Sequence, residues 1–141
     1  MSATHQRLLA FDFGTKSIGV AVGLWPTQTI TELHAIKAKD GIPNWDEINA
    51  LLSEWQVDSV IVGLPVKMDG SDMEITRRAR KFGNRLHGRF GCPVLFFDET
   101  LSTREAKEEA FARGHRGNFG EAPIDSIAAG IILQSWFNSQ A

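Results

Sequence analysis

Four acids stand where a chain would place catalytic carboxylates. Asp12 ends the apolar run "LLAFDFG", Asp98 and Glu99 close "PVLFFDE", and Asp125 falls early in "PIDSIAAGIIL". In an open α/β sheet, ligands gather beyond the carboxyl ends of the strands. Three separated segments can therefore bring carboxylates to one edge. Clustered carboxylates repel one another unless a cation neutralises them. With oxygen donors only, and no cysteine or histidine beside them, that cation is Mg²⁺ or Mn²⁺. A pair of such ions can activate water and stabilise the leaving oxygen of a phosphodiester. Each acid also has a purely structural reading: Asp12 as a turn residue, Glu99 and Asp125 as helix-start acids favoured by the dipole, and Asp98 as a solvated or supporting acid.

Positive charge is gathered elsewhere. From Ile75 to Phe97 there is no acid, yet the stretch holds Arg77, Arg78, Arg80, Lys81, Arg85 and Arg89. Arg77, Lys81, Arg85 and Arg89 recur every four positions, so they share one helix face. Such a face is either a footprint for a polyanion or a solvated surface. In "VGLPVKMDGS", Lys67 is available for a phosphate and Asp69-Gly70 reads as a turn. The run "HRGNFGEA" (115–122) offers Arg116 to a phosphate and Phe119 to an unpaired base. Its structural alternative is a plain connector.

The elements that must hold these groups follow from periodicity. Residues 8–13 alternate faces as a strand, with Leu8, Ala10 and Asp12 on one side and Leu9, Phe11 and Phe13 on the other. Gly14-Thr15-Lys16 reads as a turn, 18–22 as the returning strand, and 27–38 as a third strand of an antiparallel meander. Asn44 with Glu47, Ser71 with Glu74, and Ser102 with Glu105 are spaced as capping boxes for three helices. The apolar runs 58–63 and 93–99 read as buried strands. Gly114 is a helix stop, and Pro123 suits the first turn of a closing helix ending near Asn138. The order β-β-β-α-β-α-β-α-α predicts an α/β fold: a mixed five-stranded sheet with helices on both faces.

A chain of 141 residues suits one domain, 1–141, with a single core. Its 43% hydrophobic and 23% charged content is ordinary for a soluble protein, and a net charge of −2 makes the molecule no polycation. The one cysteine, Cys92, excludes an internal disulfide and fits a reducing compartment. The start "MSATHQR" has no apolar signal core, and no stretch is long enough to span a bilayer. The expected location is the cytoplasm, with no membrane partner.

Four ordered motifs, "AFDFGTKSIGVAVG", "IVGLPVKMDGS", "DETLSTREA" and "IDSIAA", resemble over nearly the whole chain the YqgF family of Holliday-junction-resolvase-like proteins, in its gammaproteobacterial form. Members are also described as pre-16S rRNA nucleases. The resemblance implies an RNase H-like fold and metal-dependent phosphodiester hydrolysis, with Asp12, Glu99 and Asp125 on the family's catalytic acids. It also implies a role in 5′-end processing of pre-16S rRNA during ribosome biogenesis. The chain departs from the family at Lys16, where many relatives carry arginine; lysine keeps the charge but loses a bidentate phosphate grip. It has Thr100 where relatives often carry an arginine after the acid, a loss for which Arg104 could substitute. Ala122 and Pro123 stand where a lysine often precedes the last aspartate.

The competing readings are a resolvase of branched DNA, a non-catalytic nucleic-acid-binding domain, and a phosphotransferase built on a similar phosphate-binding hairpin. The last normally closes two such domains around a nucleotide, and this chain has room for one. A monomer or weak homodimer is expected, since symmetric cleavage of a four-way junction needs two sites.

Overall fold

The computed structural model describes residues 5–67, 69–99, 108, 112 and 126–140. The elements are β1 (Gln6–Asp12), β2 (Ser17–Trp25), β3 (Thr29–Lys39), β4 (Ile42–Pro43), α1 (Trp45–Glu54), β5 (Ser59–Leu64), α2 (Glu74–Phe90), β6 (Val94–Asp98) and α3 (Ile127–Ser139). The strands form one mixed sheet in the order β4-β3-β2-β1-β5-β6. β1 to β4 pair antiparallel in succession, while β1, β5 and β6 run parallel. The ends of β1, β5 and β6 therefore meet at one edge.

The sheet has six strands where five were expected. The extra one is β4, two residues pairing with Ala38 and Lys39. Its cue is Asp40-Gly41, whose φ angles of 51° and 79° make the tight reversal that this dipeptide favours.

Leu8, Leu9, Ala10 and Phe11 are all fully buried, because β1 is covered on both faces. Leu9, Phe11 and Phe13 pack with Ile48 of α1 and with Ala79, Phe82 and Leu86 of α2. Leu8, Ala10 and Ile61 pack with Ile132, Leu133 and Phe137 of α3. The alternation read from the sequence thus assigns each face of β1 its own helical layer.

Two capping expectations are corrected. Asn44 does cap α1, but its side chain accepts from the Asp46 N–H at 3.0 Å rather than from Glu47. Ser71 does not cap α2. Its N–H and hydroxyl both donate to Asp69 Oδ1, at 2.9 and 2.6 Å, which closes a local turn three residues before the helix begins. Thr76 supplies the reciprocal bond instead, accepting from the Met73 N–H at 3.0 Å. The run 93–99 is not a buried strand either: β6 is the sheet's edge, and Leu95 and Phe96 are 42% and 39% exposed. The expected box at Ser102 and Glu105, the stop at Gly114 and the loop 115–122 lie outside the described residues.

Candidate active site

Asp12 is the last residue of β1, and Glu99 follows the last residue of β6. Between those strands lies β5, which pairs with both. Only a small residue on β5 lets the two carboxyl groups meet across it. That residue is Gly63: a Cβ built there would stand 2.5 Å from Glu99 Oε1 and 2.5 Å from Ile132 Cδ1. The bare backbone at 63 therefore makes room both for the Glu99 carboxyl and for the close approach of α3.

The Asp12 and Glu99 carboxyl groups lie within side-chain hydrogen-bonding reach of each other. Two carboxyl groups so close are stable without a cation when they share one proton. Burial raises Glu99 from its ordinary 4.5, the negative charge of Asp12 and the hydrogen bond to it raise it further, and Asp98 adds a smaller push, to about 7 in all. Burial also raises Asp12, against the opposing effect of the Glu99 hydrogen bond. This is the behaviour of a like-charge pair taken partly out of water.

A divalent cation would replace the shared proton. The donors are oxygens only, they converge over a glycine that leaves them space, and without a cation they cannot both be ionised at low cost. The pair fits a hard ion such as Mg²⁺ or Mn²⁺. Among the described residues, no group of three His, Cys, Asp or Glu forms. The third expected acid, Asp125, lies outside the described residues, as do Arg104 and Arg116.

The pair makes stability depend on pH in the metal-free protein. The folded pKa of Glu99 lies above its unfolded value, so the native state binds the proton more tightly. That contribution is complete below about pH 4.5 and is lost as pH rises through about 7. The melting temperature in chelator is therefore expected to fall between pH 5 and pH 8, and added Mn²⁺ should recover it at pH 8. A melting temperature flat over that interval would show that the two groups share no proton.

Sequence reasoning missed Ser126. Its fully buried hydroxyl accepts from the Val20 N–H at 3.0 Å, where the β2–β3 register shifts between Ile18 and Val20. The start of α3 is thereby tied to β2 one residue from Gly19, the partner of Asp12 across the sheet. The available signal was a serine at a helix start in an otherwise apolar run, but its partner lies 106 residues away.

Gly14 is explained by the β1–β2 turn alone, since an added Cβ would meet the Ser17 carbonyl oxygen. Lys16 is exposed in that turn, and Lys67 is exposed after β5, where Gly70 N–H donates to its carbonyl at 2.8 Å. Arg77, Lys81, Arg85 and Arg89 are all exposed on α2, as their spacing predicts. However, α2 packs on the sheet face opposite that of Asp12. The stripe begins near the carboxylate edge at Arg77 and descends about 18 Å to Arg89.

The positive charge of the run is also smaller than the sequence indicates. Acids outside it neutralise part of it: Glu74 pairs with Arg77 at 2.8 Å, Asp40 with Arg78 at 2.9 Å, and Asp72 with Arg80. Arg89 lies over the Trp45 ring, 4.4 Å from its centroid. Among the described residues, Lys81 and Arg85 are left without an ion-pair partner.

The family model described as "RuvX: Holliday junction resolvase" matches residues 6–139. A Saccharophagus degradans protein named "Putative pre-16S rRNA nuclease" is 63% identical over 134 residues, spanning 95% of this chain and 94% of its own. One of the same name from Photobacterium profundum is 57% identical over 98% of both chains. Among solved structures, Thermus thermophilus RuvC in complex with a Holliday junction substrate superimposes with a TM-score of 0.64 at 15% identity, covering 96% of this chain and 95% of that one. The Fowlpox virus resolvase gives 0.53 at 16% identity, covering 96% and 99%. These two likenesses bear on the fold, and they agree with the RNase H-like architecture expected.

Proposed function

Since the chain belongs to the RuvX family, we propose that it is a divalent-metal-dependent nuclease acting in the cytoplasm on the 5′ region of precursor 16S rRNA. The observation that carries this reading is the convergence of the Asp12 and Glu99 carboxyl groups over Gly63, at the meeting edge of β1, β5 and β6. The names of relatives at 53–63% identity support the substrate. Asp12 and Glu99 would hold the metal, with Asp125 as the third ligand. When bound, the ion supplies a nucleophilic water and charge stabilisation for the leaving oxygen. The chain's own part is to keep two carboxylates in place on rigid strands and to bind the phosphate backbone. That binding falls to Lys16 and Lys67 at the carboxylate edge and to Arg77, Lys81, Arg85 and Arg89 on α2, with Arg104 and Arg116. The unit acts as a single domain, 1–141, in a monomer or weak homodimer. No described helix is long and apolar enough to cross a membrane.

Branched DNA is the second reading, favoured by the family's description and by the RuvC-like fold. The discriminating experiment is a cleavage assay in Mg²⁺ or Mn²⁺ on precursor 16S rRNA and on a four-way DNA junction in parallel. Metal-dependent cleavage of the RNA is the expected result. Cleavage of the junction alone would reassign the substrate, and metal-dependent binding without cleavage of either would remove the enzymatic reading.

A further inference from the structure

Asp12 and Phe13 are neighbours in the chain but face opposite sides of the sheet. Asp12 meets Glu99. Phe13 instead helps line a cleft of about 170 Å³ between the β3–β4 turn, the start of α1 and the face of α2. Its other walls are Asp40, Gly41, Ile42, Trp45, Arg78, Lys81, Phe82 and Arg85, of which three are basic and one is acidic. Asp40 accepts from Arg78 through both its carboxylate and its backbone carbonyl, at 2.9 Å each, so its charge is already engaged. Among the described residues, Lys81 and Arg85, one turn apart, have no ion-pair partner and can take an anion.

The rest of the wall is apolar and held in place. Trp45 stacks on Phe82 with ring centroids 6.0 Å apart, and Arg89 covers it at 4.4 Å. Ile42 is 52% exposed beside it. The cleft is tied to the carboxylate edge, because Gly41 N–H donates to the Thr15 carbonyl at 2.8 Å and Ala38 N–H to the Lys16 carbonyl at 2.9 Å. Exposed Lys16 lies in the turn between the two.

We propose that this cleft is a second nucleic-acid contact, which holds the sugar-phosphate of an unpaired strand after it has crossed the β1–β2 turn from the carboxylate site. Lys81 and Arg85 take phosphate oxygens, and the apolar wall of Phe13, Ile42 and Trp45 takes the face of the sugar. The size argues for a strand rather than a free nucleotide. The volume is below the roughly 300 Å³ at which small-molecule pockets begin, too small to enclose a base as well as a phosphate. The inference rests on the nuclease reading above for the strand's other end.

The test uses the full chain carrying Asp12→Asn, so that binding is measured without cleavage. Lys81→Ala with Arg85→Ala removes two charges inside the cleft, and Lys67→Ala with Arg77→Ala removes two outside it. The cleft pair is expected to weaken binding of a 12-nucleotide single strand about tenfold or more. It should also lower the slope of log K against log salt by about 1.4, the value for two phosphates of a single strand. The outside pair should cost clearly less. Asp40→Asn, which releases Arg78, should tighten binding. The Trp45 indole N–H resonance should move with the strand and stay in place with adenosine monophosphate. Equal losses from the two pairs would overturn the cleft and leave a diffuse basic face. Saturable movement of the Trp45 signal by the mononucleotide would overturn the strand as occupant. Failure of the nuclease reading would appear separately, as no cleavage of RNA or junction by the unsubstituted chain in Mg²⁺ or Mn²⁺.

Discussion

Asp12→Asn is expected to lower cleavage at least about a thousandfold, equivalent to about 4 kcal/mol of barrier, while leaving the fold intact. The amide keeps the shape of the side chain but cannot supply a full negative charge to a divalent ion. The same change should raise the melting temperature of the metal-free protein at pH 8. There the wild-type pair is above the pKa of about 7 that Asp12 and burial impose on Glu99, so both carboxylates are charged. Removing one charge relieves that repulsion. If the gain is about 1 kcal/mol, it appears as a few degrees in a chain of this size. It should vanish at pH 5, where the pair already holds its proton. Opposite changes in activity and stability from one atom's replacement are the mark of a site built from mutually repelling ligands. Wild-type cleavage by a clean preparation of the variant would remove Asp12 from the site.

Gly63→Ala is the second large effect, and it reaches the site without touching either acid. The new methyl would stand 2.5 Å from Glu99 Oε1 and from Ile132 Cδ1, distances at which something must move. Glu99 can swing away, which opens the pair. Ile132 is 1% exposed and packed between α3 and the sheet, so it can yield only by displacing the helix. The expected result is a loss of about 1–3 kcal/mol in stability, together with a fall in cleavage of about a hundredfold that excess metal does not rescue. Gly88→Ala is the counterpart on exposed α2, where an added Cβ meets nothing within 4 Å. It should stabilise by about 0.5–1 kcal/mol through helix propensity and leave cleavage unchanged. If Gly63→Ala keeps wild-type activity and melting temperature, the cradle at 63 does not position Glu99.

The parts of this protein that its sequence determined are those governed by short-range rules. The two-residue alternation of β1 assigned Leu9, Phe11 and Phe13 to one helical layer and Leu8, Ala10 and Asp12 to the other, because successive side chains must leave a strand on opposite sides. The 3.6-residue period placed Ala79, Phe82 and Leu86 on the buried side of α2 and four basic residues on the exposed side. The acids at the strand ends followed from the same local reading. What depended on which of several partners, near or distant in the chain, a group would take was not legible. Ser71 had the spacing of a cap, but Asp69 is nearer and takes both its donors. Arg77, Arg78 and Arg80 looked unpaired because Glu74, Asp40 and Asp72 lie outside the run they neutralise. Phe96 read as core until the strand order put β6 at the edge. Only the tertiary structure decided that Glu99 reaches across β5 over Gly63 to meet Asp12, and that Lys81 and Arg85 open onto the sheet's other face. Both are consequences of parallel strands meeting at one edge, an arrangement set by the packing of the whole sheet and encoded in no single stretch of residues.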